Sequence, residues 1–345
     1  MPEMRVSSAL GFVILAPLAA CGAEDATVES ADAAGPDWGR AFADTDAWWL
    51  SVWGPSADRV YVAGGAPGAG RLETWDGSNW STISLPSGTP LLNWVYGTGP
   101  DDVYAVGEAG TILHFDGSSW TAESSTTTED LWGVWGLGPD ATWAVGGGGR
   151  MAGQATLLKR SSDGTWKPEP VPALERAGVN AFYKVWGLDA AHVWVVGQRG
   201  AILAYDGAAW SETGAGTSED LISLWGTSVD DVVAVGGRGN GVVARWDGAS
   251  WTHRALAPLP GLNGVWTDTP GRVWAVGETG TVIRLSPSDG TWSIESLDLE
   301  GEARQWALHA VFGGAGRVLT VGGNFERPEG PYRGFAWTYS GEVSP

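Results

Sequence analysis

One phrase recurs seven times along this chain: an aromatic–Gly step, a turn, a hydrophobic strand ending in Gly, a second strand, then Asp-Gly and a Trp. The first aromatic falls at Trp53, Tyr96, Trp135, Trp186, Trp225, Trp266 and Phe312, and the strand-ending glycine at Gly64, Gly107, Gly146, Gly197, Gly236, Gly277 and Gly322. Within a copy these two positions are eleven residues apart, except ten in the last, whereas successive copies start 39 to 51 residues apart. A constant internal spacing with variable gaps between copies describes one folded unit joined by variable loops.

Each copy divides into four short strands, A to D, by period-two alternation and turn residues. In the second copy these are 92–97, 103–107, 111–115 and a strand starting at Trp120, with Asp116-Gly117 as the hairpin turn before it. Alternating β-branched and aromatic residues, with Gly about every ten positions, exclude helix. Four strands in about 40 residues make one β-propeller blade. Strand-D tryptophans occur at Trp80, Trp120, Trp166, Trp210, Trp251 and Trp292, six for seven copies. The missing one stands at the start of the repeats: Trp38 precedes Trp53 by fifteen residues, the interval from Trp120 to Trp135. The expected fold is therefore all-β, a seven-bladed β-propeller whose N-terminal strand completes the last blade and closes the ring. The strand-D tryptophans are expected to pack between blades; any tryptophan of the chain left exposed, such as Trp48 or Trp306, would offer a stacking platform for a sugar.

The segment before the repeats has a different character. Arg5 precedes an apolar run over 6–20, too short for an ordinary membrane span and suited to a signal-peptide core. It ends in Leu18-Ala19-Ala20-Cys21-Gly22, which resembles the lipobox of bacterial lipoprotein precursors. The resemblance implies a signal peptide over 1–20, a lipid on the Cys21 thiol, a flexible acidic tether over 21–36 and a propeller over 37–345. It also implies a bacterial cell-envelope protein, with Gly22 after the cysteine favouring the outer membrane. Cys21 is the only cysteine, which excludes an intramolecular disulfide.

The Asp-Gly-x-x-Trp turns at Asp76, Asp116, Asp206 and Asp247, with the related turns at Asp163 and Asp289, resemble Asp-boxes. Asp-box propellers include sialidases and many non-enzymatic binding proteins, although that family normally separates the Asp from the Gly by a residue. Over residues 38–341 the chain also resembles the tandem Val-Trp-Gly/Ala-Val-Gly propeller repeats of secreted bacterial lipoproteins. Repeated in six blades, the aspartates read as structural, each carboxylate accepting from nearby backbone amides.

Alternation of strand direction places the A–B and C–D turns on one face and the B–C and D–A connections on the other. The second face carries the length variation, which suits ligand recognition on a rigid frame. At its B–C tips stand Glu108, Arg150, Arg199, Arg238 and Glu278, the candidate ligand face. Solvated tips that pair with their neighbours are the alternative reading.

A net charge of −20 disfavours nucleic acid as partner. The four histidines show no metal-ligand spacing, no phosphate-cradling Gly-Lys-Ser/Thr motif is present, and no tyrosine stands out as a glycosidase nucleophile beside the arginines. No metal, cofactor or catalytic residue is assigned. The expectation is a monomeric, non-enzymatic binding or scaffold propeller presenting its variable face to protein or glycan. An Asp-box-like glycosidase or lyase, or an accessory protein of envelope or pilus assembly, is the alternative.

Overall fold

The computed structural model describes residues 38–340 except 139, 149–152, 315–316, 326 and 328. Cys21, the region around it and Arg150 lie outside the described residues. Seven four-stranded antiparallel sheets form a ring, and each sheet is one copy of the repeat. Blades 1 to 6 occupy 48–82, 92–123, 131–168, 182–212, 221–255 and 262–295. Blade 7 takes three strands from the end of the chain, Ala307–Gly314, Arg317–Gly323 and Gly334–Tyr339, and its outer strand, Trp38–Thr45, from the beginning.

The closing strand pairs antiparallel with the last one, Trp38 opposite Tyr339 and Phe42 opposite Ala336. It also joins blade 7 to both neighbours. The Trp38 ring meets Trp274 of blade 6 edge-on at 5.7 Å, and the Phe42 ring lies 4.9 Å from Trp80 of blade 1. Four strand-D tryptophans (Trp38, Trp166, Trp210 and Trp251) are buried, and the other three are half-buried.

The recurring aromatic–Gly step has a packing cause. The indole of one blade fills the space that the next blade's glycine leaves open. A Cβ on Gly187 would lie 2.7 Å from the tip of Trp135, and Gly97, Gly226 and Gly313 stand in the same relation to Trp53, Trp186 and Trp266. Blade 6 has Thr267 at this position, and the Trp225 ring of blade 5 reaches Phe312 of blade 7 at 6.0 Å. These aromatics crowd the axis towards the A–B turns, with Trp53–Tyr96 at 5.3 Å and Tyr96–Trp135 at 6.3 Å.

Strand A, the innermost of each blade, carries a register shift near its start. The extra residue is Leu50, Asn93, Trp132, Tyr183, Ile222, Asn263 and His309 in blades 1 to 7. A bulge of this kind re-aims one side chain out of the pleat. It also brings strand A close to the glycine that ends strand B: a Cβ on Gly146 would lie 2.0 Å from the Asp130 carbonyl oxygen. Only glycine tolerates that approach, and the same approach recurs in the other blades.

Candidate functional site: a cavity at the axial mouth

All seven bulge residues line one cavity of about 940 Å³ at the face formed by the B–C and D–A connections. The position that distorts each strand A thus supplies the wall of the axial channel. Trp48, Trp306 and Phe325 add aromatic surface, and Glu108, Asp130, Arg238, Glu278, Glu302 and Arg327 surround the mouth.

The wall is cross-linked from blade to blade. The Asn93 amide donates to the Leu131 carbonyl of blade 3 at 2.9 Å, and the Asn263 amide to the Leu308 carbonyl of blade 7 at 3.0 Å. His309 Nδ1 donates to the Leu50 carbonyl of blade 1 at 2.7 Å. Burial, with Lys184 and Arg238 nearby, pushes the His309 imidazole down to about 4, so it is neutral at pH 7. Trp132 Nε1 donates to the Gly147 carbonyl, and Trp48 Nε1 to Asn324 Oδ1. Trp48 is 7% exposed and packs against Phe325 and Tyr332, so it belongs to the wall and is no open platform. Trp306 is half-buried and stacks on Phe335.

Of the candidate ligand-face residues, Glu108, Arg238 and Glu278 line the cavity. Their charges are met locally. Glu108 accepts from the Gly68 N–H at 3.2 Å, and Glu278 from the Asn263 amide at 3.3 Å. Arg238 donates to Asp220 Oδ2 at 3.0 Å and to the Tyr183 hydroxyl at 2.9 Å. Arg199 is exposed, and its guanidinium lies beside Gly178 in the connection from blade 3 to blade 4, away from the cavity lining. Its part in the ring is made by its backbone. Arg199 has φ 57°, and its N–H donates to Asp220 Oδ1 at 2.9 Å. Ala109, with φ 52°, donates to Asp130 Oδ1 at 3.0 Å in the same manner. The paired Glu129-Asp130 and Glu219-Asp220 loops therefore clamp the preceding blade's B–C tip, each loop supported by a threonine hydroxyl that accepts from the Glu N–H at 3.1 Å.

Arg199 and Arg238 do not converge on a carboxylate in the cavity. Tyr183 is the tyrosine that does face it, and burial drives its phenol above the ordinary value. An activated nucleophile requires the opposite shift.

The turn aspartates lie on the other face. Asp76, Asp116, Asp206 and Asp247 each accept the N–H groups two and three residues ahead at 2.7–3.0 Å. Asp163 and Asp289 accept the N–H and hydroxyl of Thr165 and Thr291. These bonds hold all six carboxyls below the usual aspartate range; the Ser118 hydroxyl takes Asp116 to about 2. Among the described residues no group of three or more His, Cys, Asp or Glu side chains is placed to hold a metal ion.

The bulge residues are not among the loop tips that the sequence singles out. Their signal in the chain is the position three before each repeat aromatic. It holds Leu, Asn, Trp, Tyr, Ile, Asn and His inside an otherwise uniform strand. Diversity at one register position of a repeat marks the surface the repeat does not need for its own packing.

No protein-family model matches this chain, and no curated protein matches it in sequence. Solved structures do match in fold. A structure described as YCF48 bound to D1 peptide has a TM-score of 0.64 at 16% identity, covering 91% of this chain and 99% of that one. YCF48 from Cyanidioschyzon merolae gives 0.64 at 15% identity, with 88% and 98% covered. The WD40 β-propeller domain of Doa1 gives 0.63 at 10% identity, with 85% and 93% covered. At these identities the likeness is one of fold: the chain is a β-propeller.

Proposed function

We propose that this protein is a lipid-anchored binding propeller of the bacterial envelope, which captures a segment of polypeptide in its axial cavity. The observation that carries the reading is the convergence of seven bulge side chains of six kinds, one per blade, on a single opening. The volume is that of a ligand site, and the wall combines aromatic surface with a few fixed polar groups. The hydrogen bonds between blades hold that wall in place before a ligand arrives, which lowers the ordering cost of binding. A propeller of similar fold, YCF48, has been solved with a peptide bound, which supports polypeptide as the class of ligand. The lipobox at Leu18–Cys21 supports the anchor.

The test is retention of the detergent-purified full chain on a peptide array and a glycan array. Peptides are expected to bind, and Trp132→Ala is expected to weaken the best of them about tenfold or more, as loss of a central aromatic anchor does. Leu137→Ser, on the face of the A–B turns, is expected to leave binding unchanged. Retention on glycans alone, or peptide binding indifferent to Trp132→Ala, would overturn the reading.

A further inference from the structure

The chain contains three lysines, Lys159, Lys167 and Lys184, and one of them is placed at the floor of the cavity. Lys184 follows the blade 4 bulge and is 4% exposed. Its Nζ donates to the Trp132 carbonyl at 3.2 Å and lies 3.1 Å from the centre of the Trp94 indole. A π face and one carbonyl are weak compensation for a buried ammonium, which ordinarily requires a counter-charge. Among the described residues no carboxylate pairs with it.

The groups around Lys184 do not supply the missing anion. His309 donates its Nδ1 proton to Leu50 and is neutral. Arg238 is a second cation, already engaged by Asp220 and the Tyr183 hydroxyl. At the mouth, Glu108, Asp130 and Glu278 accept from Gly68, Ala109 and Asn263, and Glu302 pairs with Arg327 at 3.0 Å. The acidic groups thus stay at the rim while the cation sits below them.

We infer that the cavity takes a carboxylate-bearing ligand, whose carboxylate descends to the floor and accepts a hydrogen bond from Lys184 Nζ. A monoanion fits, because the floor offers one cation that no carboxylate among the described residues pairs with; a phosphate dianion would require more donors. Burial without a counter-charge drives the Lys184 ammonium well below its ordinary value, and a carboxylate seated beside Nζ would raise it again. The inference deepens the polypeptide reading and rests on it for the cavity's role. The carboxylate belongs to a chain end, to an Asp or Glu side chain, or to a small organic acid.

With three lysines in the chain, the side-chain amines can be followed singly by NMR of [13C,15N]-lysine-labelled full chain in detergent. Lys184 is expected to titrate well below the ordinary lysine value, and benzoate is expected to raise its midpoint by about one pH unit or more. Benzamide, of the same shape without the charge, is expected to leave it in place. Lys184→Met is expected to weaken benzoate binding about tenfold. A midpoint that benzoate does not move, or that benzamide moves equally, overturns the inference even where the variant fails to fold.

Peptides retained on the array divide the sources. Loss of binding on amidation of the chain end assigns the carboxylate to the terminus, and loss on Glu→Gln or Asp→Asn assigns it to a side chain. Peptides that bind without any carboxylate, alongside an unmoved Lys184, sink this inference and leave polypeptide capture standing. A benzoate response with no peptide retained does the reverse.

Discussion

Glu123 at the end of blade 2 is held by blade 3 through several bonds at once. Its carboxylate accepts from Arg160 Nε at 3.0 Å and Nη2 at 2.8 Å, and from Trp166 Nε1 at 2.7 Å. His114 lies between it and Asp102, at 3.2 and 2.7 Å, and stacks on Tyr104. Burial opposes ionisation of Glu123, but the bonds from His114, Arg160 and Trp166 outweigh it and hold the carboxyl at about 2. Burial likewise opposes charge on His114, and its two carboxylates outweigh that, raising the imidazole to about 9. A depressed carboxyl contributes stability above its unfolded value, near 4.5, and loses it as pH falls towards 2. A raised imidazole contributes fully below 6.5 and loses that contribution as pH rises through about 9. Urea unfolding between pH 3 and 10 is therefore expected to show a stability plateau around pH 5–6 that declines on both sides. Glu123→Gln is expected to lower the plateau by about 2 kcal/mol and to flatten both limbs, because the acid and the histidine share one network. A variant whose profile keeps the wild-type slope on the alkaline side would show that His114 does not depend on Glu123.

At the scale of the strand, the repeat phrase carried most of what could be read in advance. Glycine after the strand-A aromatic and glycine at the end of strand B are both required by close approach of a neighbour, and such positions leave an unmistakable mark on composition. The count of strand-D tryptophans located the closing strand, since a missing seventh could stand only at the other end of the chain. The cavity was less legible. The face of the B–C tips was accessible from alternation, but a bulge shifts one residue out of period two, so Asn93 or His309 reads as a strand residue with no special direction. Lys184 was equally hidden, because its meaning comes from Trp94 two blades away. The closing strand also carries a prediction. Removing residues 38–46 takes away the buried Trp38 and the Phe42 ring, and bares the edge of Gly334–Tyr339. Two aromatic side chains at roughly 1.5–3 kcal/mol each, together with an open edge, make a loss on the order of 5 kcal/mol. The truncated protein is expected to melt at least 10 °C lower and to associate through the exposed edge, as size-exclusion chromatography would report. A melting point within about 2 °C of the intact chain would mean that the ring does not need this strand.

The whole molecule has two unlike ends. The cavity opens on the face of the B–C and D–A connections, whereas the axis towards the A–B turns is filled by the strand-A aromatics. The closing strand begins at Trp38, opposite Tyr339, the residue that ends strand C of blade 7. The chain therefore enters the propeller at the face of the C–D turns, opposite the cavity. Seventeen positions separate Trp38 from Cys21. A protein lipidated at Cys21 would thus be held by its closed face with the cavity directed away from the bilayer. Two or three acyl chains, at about 0.8 kcal/mol per buried CH₂, would make such attachment durable, and it would depend on Cys21 alone. Cys21→Ser is expected to move the protein from the membrane to the soluble fraction while leaving its thermal unfolding unchanged. Wild-type protein reconstituted in liposomes is expected to bind its best peptide as tightly as the released variant does, because the bilayer does not cover the mouth. Retention of Cys21→Ser on membranes would remove the lipid anchor from the account. A liposome-bound protein that no longer binds the peptide would reverse the orientation, placing the cavity against the membrane.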